Sequence, residues 1–353
     1  MKNIAIDIRY LEKDRTGIAV GLKAILLQLD RLRPDYCFHL LCRQPEQSEF
    51  AGSDYFRLNR FDAEIFSAKE QILLPLLLKK HKIDLLYEHQ FIVPFLKTCR
   101  IVTYLHDFIP LLFPGYYSRL KEFYYLYMNR LAVKRSDVLL VNSENTRKDL
   151  IKLFKPEQPV IVNHYAHSPE KLEMIDNGIL SSLDLIKNGY YLFVSSLKSH
   201  KNHPFLIESF LKSNLTDKLV IVGRKNADCT ASDPRLIFTD FISDSELNSL
   251  YRNSLALAVP TLYEGFGIFV LEAQFLGCPV ITSNLSSLPE VAGAGAILVN
   301  PRSREELIHA MGKVKNEECR AELIRKGLEN LTRFSWDRHL KTLLGVFEKL
   351  LED

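Results

Sequence analysis

The feature that most constrains the fold of this 353-residue chain is a regular alternation of short apolar runs with longer segments of helical periodicity. The runs that predict strands are 3–8, 38–42, 85–87, 101–105, 138–142 and 160–162 in the first half, and 190–195, 218–222, 236–238, 256–259, 280–282 and 296–299 in the second. Buried strands that alternate with helices form parallel sheets of βαβ type. The sequence therefore predicts an α/β fold.

One polar stretch, 166–188, contains no clear strand and divides the chain into two similar halves. We predict two Rossmann-like domains, at 1–167 and 188–333, joined by a linker at 168–187. A chain of this length can bury two separate cores. The last segment, 334–353, places its leucines and a phenylalanine on one face, which is typical of an amphipathic helix.

The composition indicates in which cellular compartment the protein works and which classes of binding partner it lacks. The net charge is only +3, so no strong field indicates a nucleic acid partner. The six cysteines are scattered without a Cys-x-x-Cys pair, which favours reduced thiols in the cytoplasm over disulfides or a zinc site. The first residues are too charged for a signal peptide, and the apolar runs are too short to span a bilayer.

The residues that carry chemistry are concentrated at 255–276, where an apolar run precedes a Glu-Gly-Phe-Gly turn and a predicted helix at 268–276. A glycine turn before a helix presents backbone N–H groups and a positive helix end to an anion. Glu264 opens the turn, and Glu272 follows on nearly the same face. Carboxylates accept hydrogen bonds from sugar hydroxyls, so the segment suits a nucleotide sugar. The alternative is an ordinary strand–loop–helix whose glutamate is favoured by the helix dipole.

Glu264 and Glu272 form a Glu-x7-Glu pattern, and together with Leu288-Pro-Glu-Val-Ala-Gly they resemble the donor-binding segment of family 4 retaining glycosyltransferases. The resemblance covers most of the chain and is most specific over 254–300. It implies the GT-B fold, in which two Rossmann-like domains face each other across a cleft and the C-terminal helix crosses back to the N-terminal domain. The N-terminal domain then serves the acceptor, and the C-terminal domain binds the nucleotide sugar.

On the donor side, the resemblance implies that Lys201 and the helix that begins near Gly265 neutralise the departing diphosphate. Glu272 would accept hydrogen bonds from the ribose hydroxyls, and Ile242 would lie near the base. The groups expected to hold the sugar together with Glu264 are the backbone amides of Gly265, Phe266 and Gly267.

The donor side also departs from the family pattern. Ser195 and Ser196 lie where the family usually has glycine, and His200 lies where it often has arginine. Ser196 stays in the predicted donor site. The second cation on the diphosphate would then be a protonated His200, Lys198 or Arg224. From the residues alone, 195–204 is equally well described as a solvated basic loop.

On the acceptor side, His106 follows a predicted strand, and the resemblance implies that it contacts the transferred sugar while Asp107 orients the loop. The residues alone equally allow a satisfied loop histidine. The segment around Gly17 resembles the glycine loop with which the family approaches the donor phosphates or the acceptor. A glycine permits that close approach because it lacks a Cβ. Asn142 and Ser143 lie in a segment that the family places near the acceptor, although Ser143 also suits a helix cap.

Membrane contact is a separate question. The predicted helix at 117–135 mixes tyrosines with basic residues, and a second basic cluster lies at 79–82. Aromatic and basic residues on one helix suit a bilayer interface. Glu122 and the interleaved leucines favour instead a crossover helix that packs on the sheet with its charges in water.

We therefore predict a retaining glycosyltransferase that transfers a hexose from a nucleoside diphosphate to a saccharide or lipid-linked saccharide in bacterial surface polysaccharide synthesis. It would act in the cytoplasm, at the inner face of the plasma membrane if it contacts lipid. The chain has no Asp-x-Asp pattern, so we expect no metal and no cofactor.

The overall segment lengths look most like bacterial polysaccharide mannosyltransferases, which makes GDP-mannose the expected donor. UDP-glucose, UDP-galactose and UDP-GlcNAc remain open. The alternatives to transfer are a nucleotide-sugar epimerase of the same architecture and a non-catalytic donor-binding subunit.

Overall fold

The computed structural model describes residues 1–12, 17–113, 115, 117–168, 172–194, 198–223 and 233–352. The chain forms two compact units. The first consists of Met1–Tyr165 and Trp336–Asp353, and the second of Ala166–Ser335.

The first unit is built on a sheet of seven parallel strands in the order β3-β2-β1-β4-β5-β6-β7. The strands are β1 (Lys2–Asp7), β2 (Tyr36–Cys42), β3 (Phe56–Arg60), β4 (Leu85–Glu88), β5 (Arg100–Leu105), β6 (Val138–Val141) and β7 (Val160–Val162). The helices between them are α1 (Gly17–Leu32), α2 (Ala68–Lys80), α3 (Ile109–Leu112), α4 (Arg119–Arg135) and α5 (Glu144–Phe154).

The helices α2 and α4 cover the same face of this sheet. Leu74 and Leu78 of α2 and Ala132 of α4 are buried in one cluster with strand residues such as Ala5 and Ile101. The connection from β1 to β2 through α1 runs in the opposite direction along the sheet to the connections through α2 and α4. Because such crossovers are right-handed, α1 lies on the other face of the sheet.

The second unit repeats this plan with six parallel strands in the order β10-β9-β8-β11-β12-β13. The strands are β8 (Tyr190–Val194), β9 (Lys218–Val222), β10 (Leu236–Phe238), β11 (Ala256–Val259), β12 (Val280–Ser283) and β13 (Ala296–Val299). The helices are α6 (Gly178–Ser182), α7 (His203–Leu211), α8 (Asp244–Asn253), α9 (Ile268–Phe275), α10 (Leu288–Ala292), α11 (Arg304–Lys313) and α12 (Glu317–Leu331). The predicted α/β class with two Rossmann-like sheets is confirmed.

The final helix, α13 (Trp336–Glu352), belongs to the first unit although it follows the second in sequence. Its Phe347 is fully buried, and the ring makes edge contacts with Tyr36 of β2 and Tyr87 of β4. The apolar face read from the sequence is therefore the face that packs on the first sheet.

The segment predicted as a linker, 168–187, is instead part of the second unit. It contains α6, and hydrogen bonds that include the following three attach it to α8. Asp176 donates its amide to the Ser245 carbonyl, Asn177 accepts from the Ser249 hydroxyl at 2.7 Å, and Asn248 donates to the Met174 carbonyl. The prediction was wrong because polar side chains that bond to a neighbouring helix look like a solvated linker in sequence.

Each sheet has one point at which the strand order changes direction. It lies between β1 and β4 in the first unit and between β8 and β11 in the second. Ligands of open α/β sheets bind at the carboxyl ends of the strands at such a point. Within the described residues, no helix combines the length and the apolar character needed to cross a bilayer.

Candidate active site

Two loops that are hydrogen-bonded to each other form the switch point of the second unit. The loop after β8 contains a 3-10 helix at Ser199–Lys201. The His200 carbonyl in it accepts a hydrogen bond from the Thr261 hydroxyl, at 2.8 Å, in the loop after β11. Asn202, at a left-handed φ of +61°, donates its side-chain amide to the Pro260 carbonyl at 2.9 Å. These bonds fix both loops at the carboxyl edge of the sheet.

The two predicted donor-site side chains of opposite charge meet across these loops. Lys201 Nζ lies 2.7 Å from one carboxylate oxygen of Glu264 and 2.8 Å from the other. The Lys201 side chain is 15% exposed and that of Glu264 is 8% exposed. Poor solvation strengthens the attraction and makes either charge costly without its partner. The pair is therefore a firm contact of the folded chain.

The Glu-Gly-Phe-Gly turn is held from behind by two serines. The Ser286 hydroxyl accepts from the Glu264 amide at 2.9 Å. The Ser287 hydroxyl, fully buried, lies 3.0 Å from the Glu264 carbonyl oxygen and 2.9 Å from the Phe266 carbonyl oxygen, and its one proton is shared between the two. Gly267 has a φ of +91°, and a Cβ there would lie 2.7 Å from a leucine side chain of α10. The turn thus depends on glycine and on the serine pair.

The helix after the turn begins at Ile268, as predicted for 268–276, and Gly267 is its N-cap residue. The donor-side resemblance placed the start nearer to Gly265. Gly265 and Phe266 therefore lie in the turn. Glu272, half-buried, is in the second turn of α9. The Val270 amide bonds to the Gly267 carbonyl at 3.0 Å, and the positive end of the helix at Ile268 suits an anion.

The structure argues against His200 as the missing cation. Its ring is 3% exposed, and burial, followed by the nearby charges of Lys201 and Lys198, lowers its pKa to about 4. His200 is therefore neutral at neutral pH. Lys198, exposed, remains available for the role.

Three further donor-side predictions have different outcomes. Ile242 is half-buried in the loop between β10 and α8, after the carboxyl end of its strand. Ser196 and Arg224 lie outside the residues that the structure describes.

In the first unit, His106 follows β5 and is the end of a buried hydrogen-bond chain. His106 Nε2 lies 2.7 Å from the His89 carbonyl oxygen, so this nitrogen donates. His106 Nδ1 lies 3.1 Å from the Tyr165 hydroxyl, which also lies 2.8 Å from His89 Nε2. His89 Nδ1 lies 2.8 Å from the Tyr87 hydroxyl. A neutral chain satisfies every contact if Tyr87 donates to His89, His89 to Tyr165, and Tyr165 to His106.

Burial keeps the histidines of this hydrogen-bond network neutral. It lowers the pKa of His106 to about 4, and it lowers the pKa of His339, on α13, to about 4 as well. The pKa of His89 is lowered well below its usual value by burial and by the neighbouring His106 and His339. Both nitrogens of His106 are thus engaged within the unit, and its role at the sugar stays a prediction.

The remaining acceptor-side residues surround the same sheet edge. The Asp107 carboxylate accepts from the Ile109 amide at 3.0 Å, which orders the start of α3. Ser143 caps α5 by accepting from the Thr146 amide, as its residue type suggested. Asn142 is 3% exposed, and its Oδ1 has no hydrogen-bond partner among the described residues.

Gly17 is the first residue of α1 and is exposed. A Cβ added there would meet nothing within 4 Å. We predicted that this glycine leaves space beside the backbone, and that space is open in the structure. Whether a ligand uses that space stays a prediction.

Sequence reasoning missed a charged cluster at the switch point of the first unit. The buried guanidinium of Arg9 bonds to Asp7 at the end of β1 and to Glu70 in α2. Glu88 ends β4, and burial, with Asp7 next in importance, raises its pKa well above its usual value. The alternation of Ile-Asp-Ile-Arg at a strand end was the only signal for this cluster, and it does not reveal Glu70.

Two family models match the chain. The model described as Glycosyltransferase Family 4 matches residues 17–179, and the model described as Glycosyl transferases group 1 matches residues 185–330.

Individual relatives agree with these models. The chain is 22% identical over 269 residues to the O-antigen chain mannosyltransferase B of Escherichia coli, with 71% of each chain covered. It is 28% identical over 270 residues to the serotype-specific mannosyltransferase WbdA of Escherichia coli, a match that covers 70% of this chain and 33% of the relative. This chain thus spans about a third of that longer protein. The structure superposes on Anabaena HepE, solved with UDP and glucose, with a TM-score of 0.74 at 16% identity, covering 99% and 100% of the two chains.

The buried histidines predict a pH-dependent stability. His106, His200 and His339 have pKa values of about 4 in the folded protein, whereas an unfolded histidine titrates near 6.5. Between those values the unfolded chain binds more protons, so the free energy of unfolding decreases as the pH falls, by up to ~3 kcal/mol for each histidine. Glu88 acts with the opposite sign, since its raised pKa favours the folded state at low pH.

The test therefore compares how the melting temperature depends on pH in the wild type and in one histidine variant. We expect the melting temperature of the wild type to fall from about pH 7 to about pH 5 more steeply than that of His339→Asn, which lacks one titrating group. Equal slopes in the two proteins would contradict the assignment of a depressed pKa to His339.

Because Ser287 supports the turn from behind, we predict that its loss weakens ligand binding beyond the effect of losing any buried serine. Ser287→Ala removes a fully buried hydroxyl that bonds to the Phe266 carbonyl and, beside Ser286, to the Glu264 carbonyl, which should cost about 1–3 kcal/mol of stability and loosen the turn. Ser254→Ala is the matched control, because Ser254 is also buried and donates to a carbonyl, that of Tyr251, away from the turn. Calorimetry should show weaker nucleotide-sugar binding in Ser287→Ala alone. Equal affinities in the two variants would mean that the serine does not support the site.

Proposed function

Because the chain belongs to the family 4 glycosyltransferases of the GT-B fold, we propose that it is a retaining hexosyltransferase that uses a nucleoside diphosphate sugar. The observation that carries the proposal is the Lys201–Glu264 pair, which lies beside a glycine turn and the start of α9 at the switch point of the second sheet.

Each part of this site suits one part of the donor. The Lys201 ammonium and the first amides of α9 would neutralise the diphosphate as the sugar departs. The Glu264 carboxylate would accept hydrogen bonds from sugar hydroxyls, and Glu272 would accept those of the ribose. These groups provide the stabilisation that a divalent cation gives elsewhere, so we propose a reaction without a metal or a cofactor.

The reaction we propose breaks the bond between the anomeric carbon and the diphosphate oxygen. An acceptor hydroxyl forms the new bond on the same face of the sugar, and its proton passes to the leaving phosphate oxygen. No protein nucleophile takes part, and the anomeric configuration is retained. His106 remains the residue of the first unit that the resemblance assigns to the transferred sugar.

The donor we propose first is GDP-mannose, because two relatives are named mannosyltransferases, one of them an O-antigen chain mannosyltransferase. The acceptor would then be a saccharide, free or lipid-linked, in a bacterial surface polysaccharide, and the enzyme would act in the cytoplasm. A UDP-sugar is the second candidate, because the superposed HepE structure contains UDP and glucose.

The test is nucleotide release in EDTA from GDP-mannose, UDP-glucose, UDP-galactose and UDP-GlcNAc. We expect GDP release from GDP-mannose, reduced at least ~100-fold in Lys201→Met. Lys187→Met is the matched control for a general loss of positive charge, because Lys187 is exposed in the second unit before β8 and away from the site. Once an acceptor is found, NMR of the product should show the donor's anomeric configuration.

The other outcomes separate the alternatives. Release of UDP would change the donor and keep the transferase. A sugar isomer without a glycoside would indicate an epimerase. A thermal shift by GDP or UDP without turnover of any donor, even with saccharide acceptors added, would indicate a binding subunit. Neither a shift nor release would contradict the donor site itself.

A further inference from the structure

Helix α4 exposes an apolar stripe that the packing of the core does not explain. Its exposed residues include 120, 123, 127, 130 and 134, which share one helix face. The first three, Leu120, Phe123 and Tyr127, are 78%, 66% and 48% exposed. The buried residues of the helix, such as Met128 and Ala132, lie on a different face.

Helix α2 repeats this arrangement, and one loop residue joins the two helices. Ile72 and Leu76 of α2 are 64% and 59% exposed. Phe95 donates its amide to the side chain of Gln71 in α2, and its ring lies 6.2 Å from that of Tyr127 in α4. We call the resulting surface the α2–α4 strip; it consists of Ile72, Leu76, Phe95, Leu96, Leu120, Phe123 and Tyr127.

Positive charge accompanies the strip on both helices. The exposed basic residues of α2 and α4 that form no ion pair with any described residue are Lys79, Lys80, Arg119, Lys121, Arg130 and Lys134. The nearest acidic side chain within α4, Glu122, accepts a hydrogen bond from the Gly115 amide. The strip is therefore apolar at its centre and basic at its ends.

We propose that the α2–α4 strip docks on the surface of a bilayer that contains anionic lipid. Exposed apolar groups gain free energy when they leave water, and a contiguous apolar patch on a soluble unit marks an interaction surface. Aromatic and aliphatic side chains enter the interface between headgroups and acyl chains, while Lys and Arg bind anionic headgroups. The unpaired cations favour lipid over a second copy of this chain, because two copies would bring these like charges together.

This proposal adds to the sequence expectation for α4, which does pack on the sheet through Leu131 and Ala132. The interleaved leucines were expected to pack on the sheet. Leu131 does contact the core, but Leu120 is the most exposed large apolar residue of the helix. In the first half of the helix Tyr125 packs against the core, whereas Leu120 and Phe123 are exposed.

The test is co-sedimentation of the full chain with vesicles of phosphatidylcholine containing about one third phosphatidylglycerol, at about 0.1 M salt. We expect Leu120→Gln/Phe123→Gln to bind at least ~10-fold more weakly than the wild type. Arg130→Gln/Lys134→Gln should lose ~10-fold or more on these vesicles and little on pure phosphatidylcholine. The matched control is Leu32→Gln/Ile186→Gln, which removes two exposed apolar residues, one on α1 and one in the second unit.

All substituted residues are exposed, so circular dichroism and the thermal shift by nucleotide should match the wild type. That measurement separates a failed docking surface from a failed donor site. Equal sedimentation of the strip variant and the control would overturn the proposal. So would a dimer in light scattering that disappears in the strip variant, since it would assign this surface to a second copy.

Discussion

The Lys201–Glu264 ion pair is the contact on which the donor side of this protein depends. It joins the loops that follow β8 and β11, the two strands between which the order of the second sheet changes direction. An ion pair with little solvent is strongly destabilised when one partner is removed, because the other charge stays buried. Glu264 therefore holds the Lys201 ammonium at the carboxyl edge of the sheet. A diphosphate at this loop would compete with Glu264 for the same ammonium and leave the carboxylate to accept from sugar hydroxyls.

Around His106 the first unit uses neutral groups, in contrast to its own Arg9 cluster and to the Lys201–Glu264 pair of the second unit. Its chain of hydrogen bonds runs from Tyr87 through His89 and Tyr165 to His106 and needs no proton beyond those of the neutral side chains. The tautomer of His106 is set by the His89 carbonyl. An imidazole held in this way is suited to positioning a substrate and poorly suited to accepting a proton, because its Nε2 already carries one and burial opposes a second.

The sequence predicts the parts of this protein that are determined locally. Strands buried on both faces appear as apolar runs, and all but one were found; β3 was missed because only Phe56 of its five residues is buried. Helix α2 was missed because Pro75 interrupts its leucines, yet the helix contains it. Glu264 and Lys201 were found through their local motifs. Ser287 and Tyr165 were not, because their partners lie at distant positions in the chain and only the folded sheet brings them together.

The most direct test of this account is calorimetry of GDP and UDP on the wild type and Glu264→Gln. If Glu264 restrains Lys201 until the donor arrives, the variant frees the ammonium for phosphate. The account predicts that it binds the nucleoside diphosphate about three- to tenfold more tightly while donor turnover falls at least ~100-fold. Unchanged or weaker nucleotide binding together with unchanged turnover would contradict the central claim that this pair is shared between the protein and the donor.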